Sequence, residues 1–569
     1  MRTATWLAAF AASGILFAQS DPPARVARLN FVSGPVSMQP AGLDDWAAAE
    51  INRPLTTGDR LWAADDGRAE LHIGSTAIRL DERTGFSFLN LDDRNVQLQV
   101  SQGSLNVRLR RLDDDQTFEI DTPDTAFTLL RPGDYRVDVS ADGGSTLVRV
   151  RAGDGEVSGG GQAFPVHARQ QARISAGNPP AYDVTAIEPP DGWDNWCAQR
   201  DQREDRAEST HYVSREVIGY EDLDAYGYWR PMPGYGTVWV PRGVRAGWAP
   251  YRYGHWVWVE PWGWTWVDDA PWGFAPFHYG RWVYVGETWA WIPGPPAPRP
   301  VYSPALVAWV GGPHFSLSVS IGGGGGGVAW FPLGPGEVYR PAYHASPAYV
   351  NNVNVSNTVI RNVNVTNVYN VTNVRYVNQT APGAVTAVSQ ETFVHARPVG
   401  AAAVAVPPGQ AATAQVAAVA PVAPRRESLA GPRAAAAVPP ASVMNRRVVA
   451  RRTPPPPPVP FAARQTELAR QPGRPLAPET VNSLRRPEAA RPQVRPAMQA
   501  QPREVRPVEP RPNPPVRTDR PVERPVERQM ERTSPAQAAP ERRQPGEQKR
   551  EKRDQRKDNR KEERKDGQH

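Results

Sequence analysis

From Val26 to about Ser175 apolar and polar residues alternate in short runs separated by Gly, Asp and Pro. Ala69-Glu70-Leu71-His72-Ile73, Val96-Gln97-Leu98-Gln99-Val100, Tyr135-Arg136-Val137-Asp138-Val139 and Thr146-Leu147-Val148-Arg149-Val150 each set aliphatic side chains against polar ones. Successive side chains of an extended chain point to opposite faces, so these runs predict half-buried antiparallel strands. Roughly ten of them at short spacing argue for a β-sandwich or roll. Between Asp191 and Thr210 the period changes and predicts a helix, with Arg200 and Glu204 spaced to pair on an exposed face.

Alternation then returns with aromatic residues on one side. Tyr226-Gly227-Tyr228-Trp229, Tyr253-Gly254-His255-Trp256 and Tyr279-Gly280-Arg281-Trp282 repeat one motif at steps of 27 and 26 residues. Trp248–Gly254 matches Phe274–Gly280 at the same step, which makes this an internal repeat. Each unit reads as a β-hairpin, with returning strands at Val238-Trp239-Val240, Trp264-Thr265-Trp266-Val267 and Trp289-Ala290-Trp291-Ile292. Pro and Gly in Glu260-Pro261-Trp262-Gly263 suit a type I turn. Of the 19 tryptophans, 16 lie between Trp193 and Trp330. Two readings of them stand open: core packing, since each ring buries on the order of 150–250 Å², or a ligand platform formed by Trp256, Trp258, Trp262, Trp264, Trp266 and Trp282, suited to stacking on sugars.

In order along the first region stand Leu55-Thr56-Thr57-Gly58-Asp59-Arg60-Leu61, Gly67-Arg68-Ala69-Glu70-Leu71, Gly103-Ser104-Leu105, Ile120-Asp121-Thr122-Pro123, Gly133-Asp134-Tyr135-Arg136-Val137, Val150-Arg151-Ala152-Gly153 and Gly155-Glu156-Val157. Taken together in this order, they resemble the FecR-like periplasmic domain. The resemblance implies a β domain that, in the family's founding role, stands behind a membrane helix and relays a siderophore-transport signal to a sigma factor. The whole order of segments, carried best by Tyr253–Val267 and Phe274–Val285, is similar to a group of exported bacterial proteins in which a FecR domain precedes a Tyr/Trp-rich domain of unknown function. That likeness implies location and architecture and supplies no reaction.

The remaining segments are read from composition. Gly322 to Gly327 precede Val328-Ala329-Trp330-Phe331 rather than a helix, so a dinucleotide site is not expected. Asn351 to Gln379, rich in Val, Asn and Thr, is expected to be extended and exposed. Residues 401–569 hold 30 of the 62 prolines and one aromatic residue, Phe461, which predicts a tail without a core. Arg2, the apolar run Trp6–Phe17 and Ala18 before Gln19-Ser20 read as a secretory leader, and no later stretch reaches the roughly 18 apolar residues of a membrane span.

The net charge of +7 is asymmetric: residues 401–569 carry 34 Lys+Arg against 18 Asp+Glu, and residues 1–400 carry 32 against 41. Such a tail reads as a solvated polyampholyte or, alternatively, as a tether to an anionic envelope polymer or membrane surface; an envelope polymer or protein partner stays open, and export leaves nucleic acid unexpected. Cys197, the single cysteine, excludes an internal disulfide and multi-cysteine metal sites; it is expected to pack beside Trp193 and Trp196, with an intermolecular disulfide as the alternative. No lysine precedes Lys549, and H-E-x-x-H and G-x-S-x-G are absent. Asp268-Asp269 with Glu260 and Glu287 lie near the aromatics but read as turn and surface residues, and His255 and His278 fall at non-equivalent positions. No catalytic, cofactor or metal residue is therefore assigned.

The expected protein is mainly β: a leader (1–18), a FecR-like sandwich or roll (25–180), one short helix with hairpin repeats (188–300), a Gly- and Asn/Val-rich extension (301–395) and a disordered Pro/Arg-rich tail (396–569). The expected function is that of an exported, non-enzymatic envelope binding or scaffolding protein, secreted or periplasmic. The alternatives are a carbohydrate- or peptidoglycan-binding protein using exposed Trp, or a FecR-type signalling component.

Overall fold

A computed structural model describes residues 21–177, 180–311, 326–359, 375–486 and 494–497, with the backbone of 501–502. The expected leader, the glycines up to Gly325, the asparagine steps within 360–374 and the tail beyond 502 lie outside the described residues. The protein is mainly β.

The alternating runs of residues 27–186 pair into two sheets that share one long strand, Asn95–Leu109. Its first half pairs with Thr84–Leu91 and, in parallel, with Thr117–Asp121. Its second half pairs with Thr76–Leu80 and Gly133–Val139 in the other sheet. Leu71, Ile78, Val107, Val137 and Val148 of one sheet meet Leu61, Phe86, Leu98, Ile120 and Phe127 of the other in one apolar core. This is the sandwich that the period of two predicts.

Much of the polar face of the second sheet is covered, although Arg173 at its edge stays exposed. Helix Gly192–Asp205 lies over it, started by a reciprocal cap in which the Asp191 side chain accepts the Asp194 N–H and the Asp194 side chain accepts the Asp191 N–H. The helix stops short of Thr210 and passes into a 3₁₀ turn at Glu208–His211. Trp193 and Trp196 stack at 4.9 Å, with the Arg68 guanidinium over both, and Cys197 is buried. Arg200 and Glu204 do not pair with each other; both reach down to the sheet, Arg200 to Glu70 and Glu204 to Arg79.

All three repeats are hairpins, and their register explains the motif. The motif tryptophan stands directly opposite the returning one in each: Trp229 opposite Trp239, Trp256 opposite Trp266, Trp282 opposite Trp291. The motif glycine lies beneath the returning indole, so a Cβ at Gly227, Gly254 or Gly280 would fall far inside van der Waals contact with the ring of Trp239, Trp266 or Trp291. Each returning indole N–H is satisfied, by Leu223 O, Asp268 Oδ2 and Tyr279 O respectively. The first and third hairpins join into a four-stranded sheet through Trp239 and Trp291, and the second forms its own ribbon. The Glu260–Pro261 bond in the second hairpin's turn is cis.

Beyond residue 300, Val307–Val310 and Gly327–Pro332 pair with each other and with Thr386–Ser389 and Val416–Ala417. Trp256 packs among Trp266, Trp309, Trp330 and Phe393 at ring distances of 4.7–5.6 Å. The asparagine-rich stretch departs from expectation at its start: Pro347–Val355 is a helix capped by Ser346. Asn354, Asn357 and Asn378 are buried because their amides serve backbone groups of Tyr339, Gly280, Val301, Trp282 and Pro332.

The chain also does not leave the body at residue 396. Val422, Leu429, Phe461 and Leu468 enter the tryptophan core, and Trp264 Nε1 donates to Val422 O at 3.0 Å. A segment too poor in apolar residues to build a core can still complete one that another segment supplies. Basic residues of this stretch, Arg425, Arg426, Arg433, Arg451 and Arg464, pair with Glu391, Asp45, Glu50, Glu156 and Glu260.

Gly254→Ala should destabilise by about 1–3 kcal/mol or more, because the new methyl must displace Val267 O and the Trp266 ring. Gly192→Ala, where nothing lies within 4 Å of the added carbon, should leave the urea midpoint unchanged or raise stability by up to about 1 kcal/mol. Equal effects in urea unfolding followed by tryptophan fluorescence would exclude this explanation of the repeat.

Candidate functional site

The densest group of titratable side chains lies where the sandwich meets the helix and the hairpin body. Strand Arg68–Ile73 points Ala69, Leu71 and Ile73 into the apolar core and Glu70 and His72 the other way. Thr76–Leu80 places Arg79 beside them, helix Gly192–Asp205 adds Arg200, Asp201 and Glu204, and the 3₁₀ turn Tyr220–Asp222 adds Glu221 and Asp222. Glu70, His72, Arg79, Glu204 and Glu221 are all nearly inaccessible.

The oxygens of the two central carboxylates are taken up by guanidinium groups. Arg79 Nε donates to Glu70 Oε2 at 2.6 Å, and Arg200 Nη2 to Glu70 Oε1 at 2.7 Å. Arg79 Nη2 meets Glu204 Oε1 and Arg110 Nη1 meets Glu204 Oε2, both at 2.9 Å. His72 Nδ1 lies 2.9 Å from Glu221 Oε1, and Arg28 Nη1 lies 2.7 Å from Asp222 Oδ2. Beside the network, Asn52 Nδ2 donates to Asp268 O and Ala270 O, and Arg28 Nη2 to Pro271 O, tying the sandwich to the second hairpin unit.

Glu70, His72 and Glu204 stand close enough to bind one metal ion. The donor set does not fit one. Three guanidiniums already neutralise the two carboxylates, and a divalent cation would have to displace them inside a buried site. The arrangement is a structural ion network. Burial opposes the charge of His72, but the Glu221 and Glu204 carboxylates outweigh it and hold the imidazolium well above its ordinary range. Burial likewise opposes the charge of Glu70, which Arg200, His72 and Arg79 hold well below the usual carboxylate range.

The six tryptophans of the prospective platform are core residues: Trp256, Trp258, Trp262, Trp264, Trp266 and Trp282 are each at most 5 % exposed. They cannot form an exposed stacking surface, because every hairpin turns its indoles onto its own glycine or into the shared core. Asp268 is buried, bonded to Trp266 and raised well above the usual carboxylate range by that burial. Glu260 pairs with Arg464, and Asp269 and Glu287 are exposed. Burial pushes His278 down to about 3, so it is a neutral imidazole, with Nδ1 2.8 Å from Ser303 O, while His255 lies 3.2 Å from Glu50. These residues do not converge. Sequence reading missed Glu70, His72, Arg79 and Glu204; the available signal was a folded region whose cations are all arginine, the cation best suited to buried pairing.

Stability from His72 is complete below about pH 6.5 and is lost as pH rises through its elevated folded value, whereas that from Glu70 is present above its ordinary value near 4.5 and lost in acid. His72→Gln should therefore cost about 1–3 kcal/mol at neutral pH, because Glu204 and Glu221 lose a shared cation while keeping Arg79 and Arg110 on the first and Arg28 on the second. It should also abolish the decline in stability that sets in as pH rises above about 6.5. Urea titrations of both proteins across that range check this; parallel pH profiles would refute it.

A model described as a family of unknown function (DUF6600) matches residues 220–337, about a fifth of the 569-residue chain and the part that holds the hairpin repeats. Two crystal structures of a candidate anti-sigma factor from Parabacteroides distasonis are similar at 15 % and 13 % identity, covering 20 % and 27 % of this chain and 52 % and 61 % of those chains. Their TM-scores are 0.18 and 0.17, too low to carry an argument. The chain thus spans between half and two thirds of the length of the solved chains it matches. No curated protein matches. Among the described residues no helix is long and apolar enough to cross a membrane.

Proposed function

We propose that this is an exported, non-enzymatic envelope protein whose sandwich and hairpin body act as one rigid binding or scaffolding unit, with the segment beyond residue 505 as its contact with anionic envelope polymers or membrane surface. The observation that supports this most is the buried ion network: it joins the two bodies and, among the described residues, engages with guanidiniums the one group spaced to hold a metal ion. The burial of the tryptophan platform weakens the carbohydrate-binding alternative. The FecR-like motifs keep an envelope signalling role as the second reading, in which a membrane partner would receive the signal.

Residues 506–569 hold 19 Lys+Arg against 13 Asp+Glu, and their contacts with an anionic surface are screened by salt. The whole chain should co-sediment with vesicles containing phosphatidylglycerol at low ionic strength and be released by about 0.5 M salt. A chain ended after residue 505 should keep its thermal midpoint and lose the co-sedimentation. Retention indifferent to salt and to the truncation would overturn the assignment of the tail, and an uncleaved chain recovered from the cytosol would overturn export.

A further inference from the structure

A cavity of about 320 Å³ lies between the sandwich loop at Thr56 and Thr57, the second hairpin's turn Glu260-Pro261-Trp262, and the chain from Pro456 to Arg485. That volume sits at the lower end of small-ligand sites, which run from about 300 to 1,000 Å³. Trp262, Leu91, Leu476 and Val481 give it apolar walls. Arg464 lines it while only 4 % exposed. Its Nη1 donates to Glu260 Oε1 at 2.7 Å, and its buried Nε and Nη2 have no partner. Glu260 also accepts from Trp258 Nε1 on the same oxygen. Arg25 and Arg485 line the cavity too, with Arg25 Nε donating to Asp92 O and Arg485 Nη1 to Pro457 O.

An unpartnered buried guanidinium edge is costly unless an acceptor meets it. The free edge is the Nε–Nη2 side, which a planar carboxylate meets with two parallel hydrogen bonds. We propose that this cavity is a binding site for a small carboxylate with a short apolar body, of the medium-chain fatty acid class, its headgroup on Arg464 and its body against Trp262, Leu476 and Val481. The site stands apart from the envelope reading above. Because the chain from Pro456 to Arg485 forms part of the wall, occupancy should also fasten that segment to the sandwich.

Calorimetric titration of the whole protein with octanoate tests this, with acetate, octanol and octyl phosphate as comparators. Octanoate should bind at one site, and acetate and octanol far more weakly. Arg464→Gln should weaken octanoate about tenfold or more, and Leu476→Trp should abolish binding by filling the cavity. Glu260→Gln, which removes the competing carboxylate and keeps an acceptor for Trp258, should tighten it. Absence of octanoate binding, or equal binding of octanoate and octanol, would show that only water serves Arg464 and would overturn the site. Tighter binding of octyl phosphate would overturn the carboxylate assignment. Should Arg464→Gln fail to fold, the opposite sign expected for Glu260→Gln and the ligand comparison still decide.

Discussion

An indole seated on a bare backbone carbon is the contact on which the second half of the molecule depends. Three times a returning-strand tryptophan covers the glycine of its own hairpin, at a separation that leaves no room for a Cβ. The glycine costs conformational entropy in the unfolded chain, and the ring laid on it recovers a large buried area from one residue. Once the rings face inward, they meet those of the neighbouring hairpins and of Trp309, Trp330 and Phe393. The repeat is therefore a device for building a core out of short ribbons, and the same geometry withholds its indoles from solvent.

The sandwich and the hairpins were legible in the sequence because the periods of their side chains are local facts. Tyr135-Arg136-Val137-Asp138-Val139 states its inward face whatever lies outside it. What Glu70 and His72 meet on the other face is not local, since the helix that covers them comes about 130 residues later and the turn carrying Glu221 about 150 later. An amphipathic strand says only that its two faces differ. Whether the polar face sees water or a second set of charges depends on the partner, and here the partner residues, Arg200 and Glu204, looked like a surface pair on an isolated helix. The absence of lysine was legible as well and was informative about burial rather than about catalysis. A guanidinium keeps its charge and fills fixed hydrogen-bond directions where an ammonium would lose hydration for fewer contacts.

The tail shows the same limit from the side of electrostatics. Of the 34 basic residues after residue 400, 15 fall within 401–505 against only five acids. Composition alone read that surplus as free charge available to an external surface. In the fold much of it faces the acidic excess of the preceding 400 residues, as in Arg426 with Asp45, Arg451 with Glu156 and Arg464 with Glu260. Several of these pairs are exposed and individually weak. The segment is anchored instead by a few apolar side chains, chiefly Phe461 and Leu468, placed at a core already built by others.

These two modes of attachment place the parts of the molecule under different constraints. The junction at His72 joins sandwich to hairpins through buried charges that tolerate no missing partner, so relative motion there is costly. The stretch from Arg425 to Arg485 rests on a small apolar contribution and on salt-sensitive pairs, so its attachment responds to solution conditions and to whatever fills the space beneath it. Arg464 stands at that boundary, half satisfied by Glu260 and half without an acceptor. An anion that completed it would add its binding free energy to the docking of the segment and to nothing at the junction. Attachment of the tail, rather than hinge motion between the two β bodies, is therefore the degree of freedom through which a ligand or a surface could act on this protein.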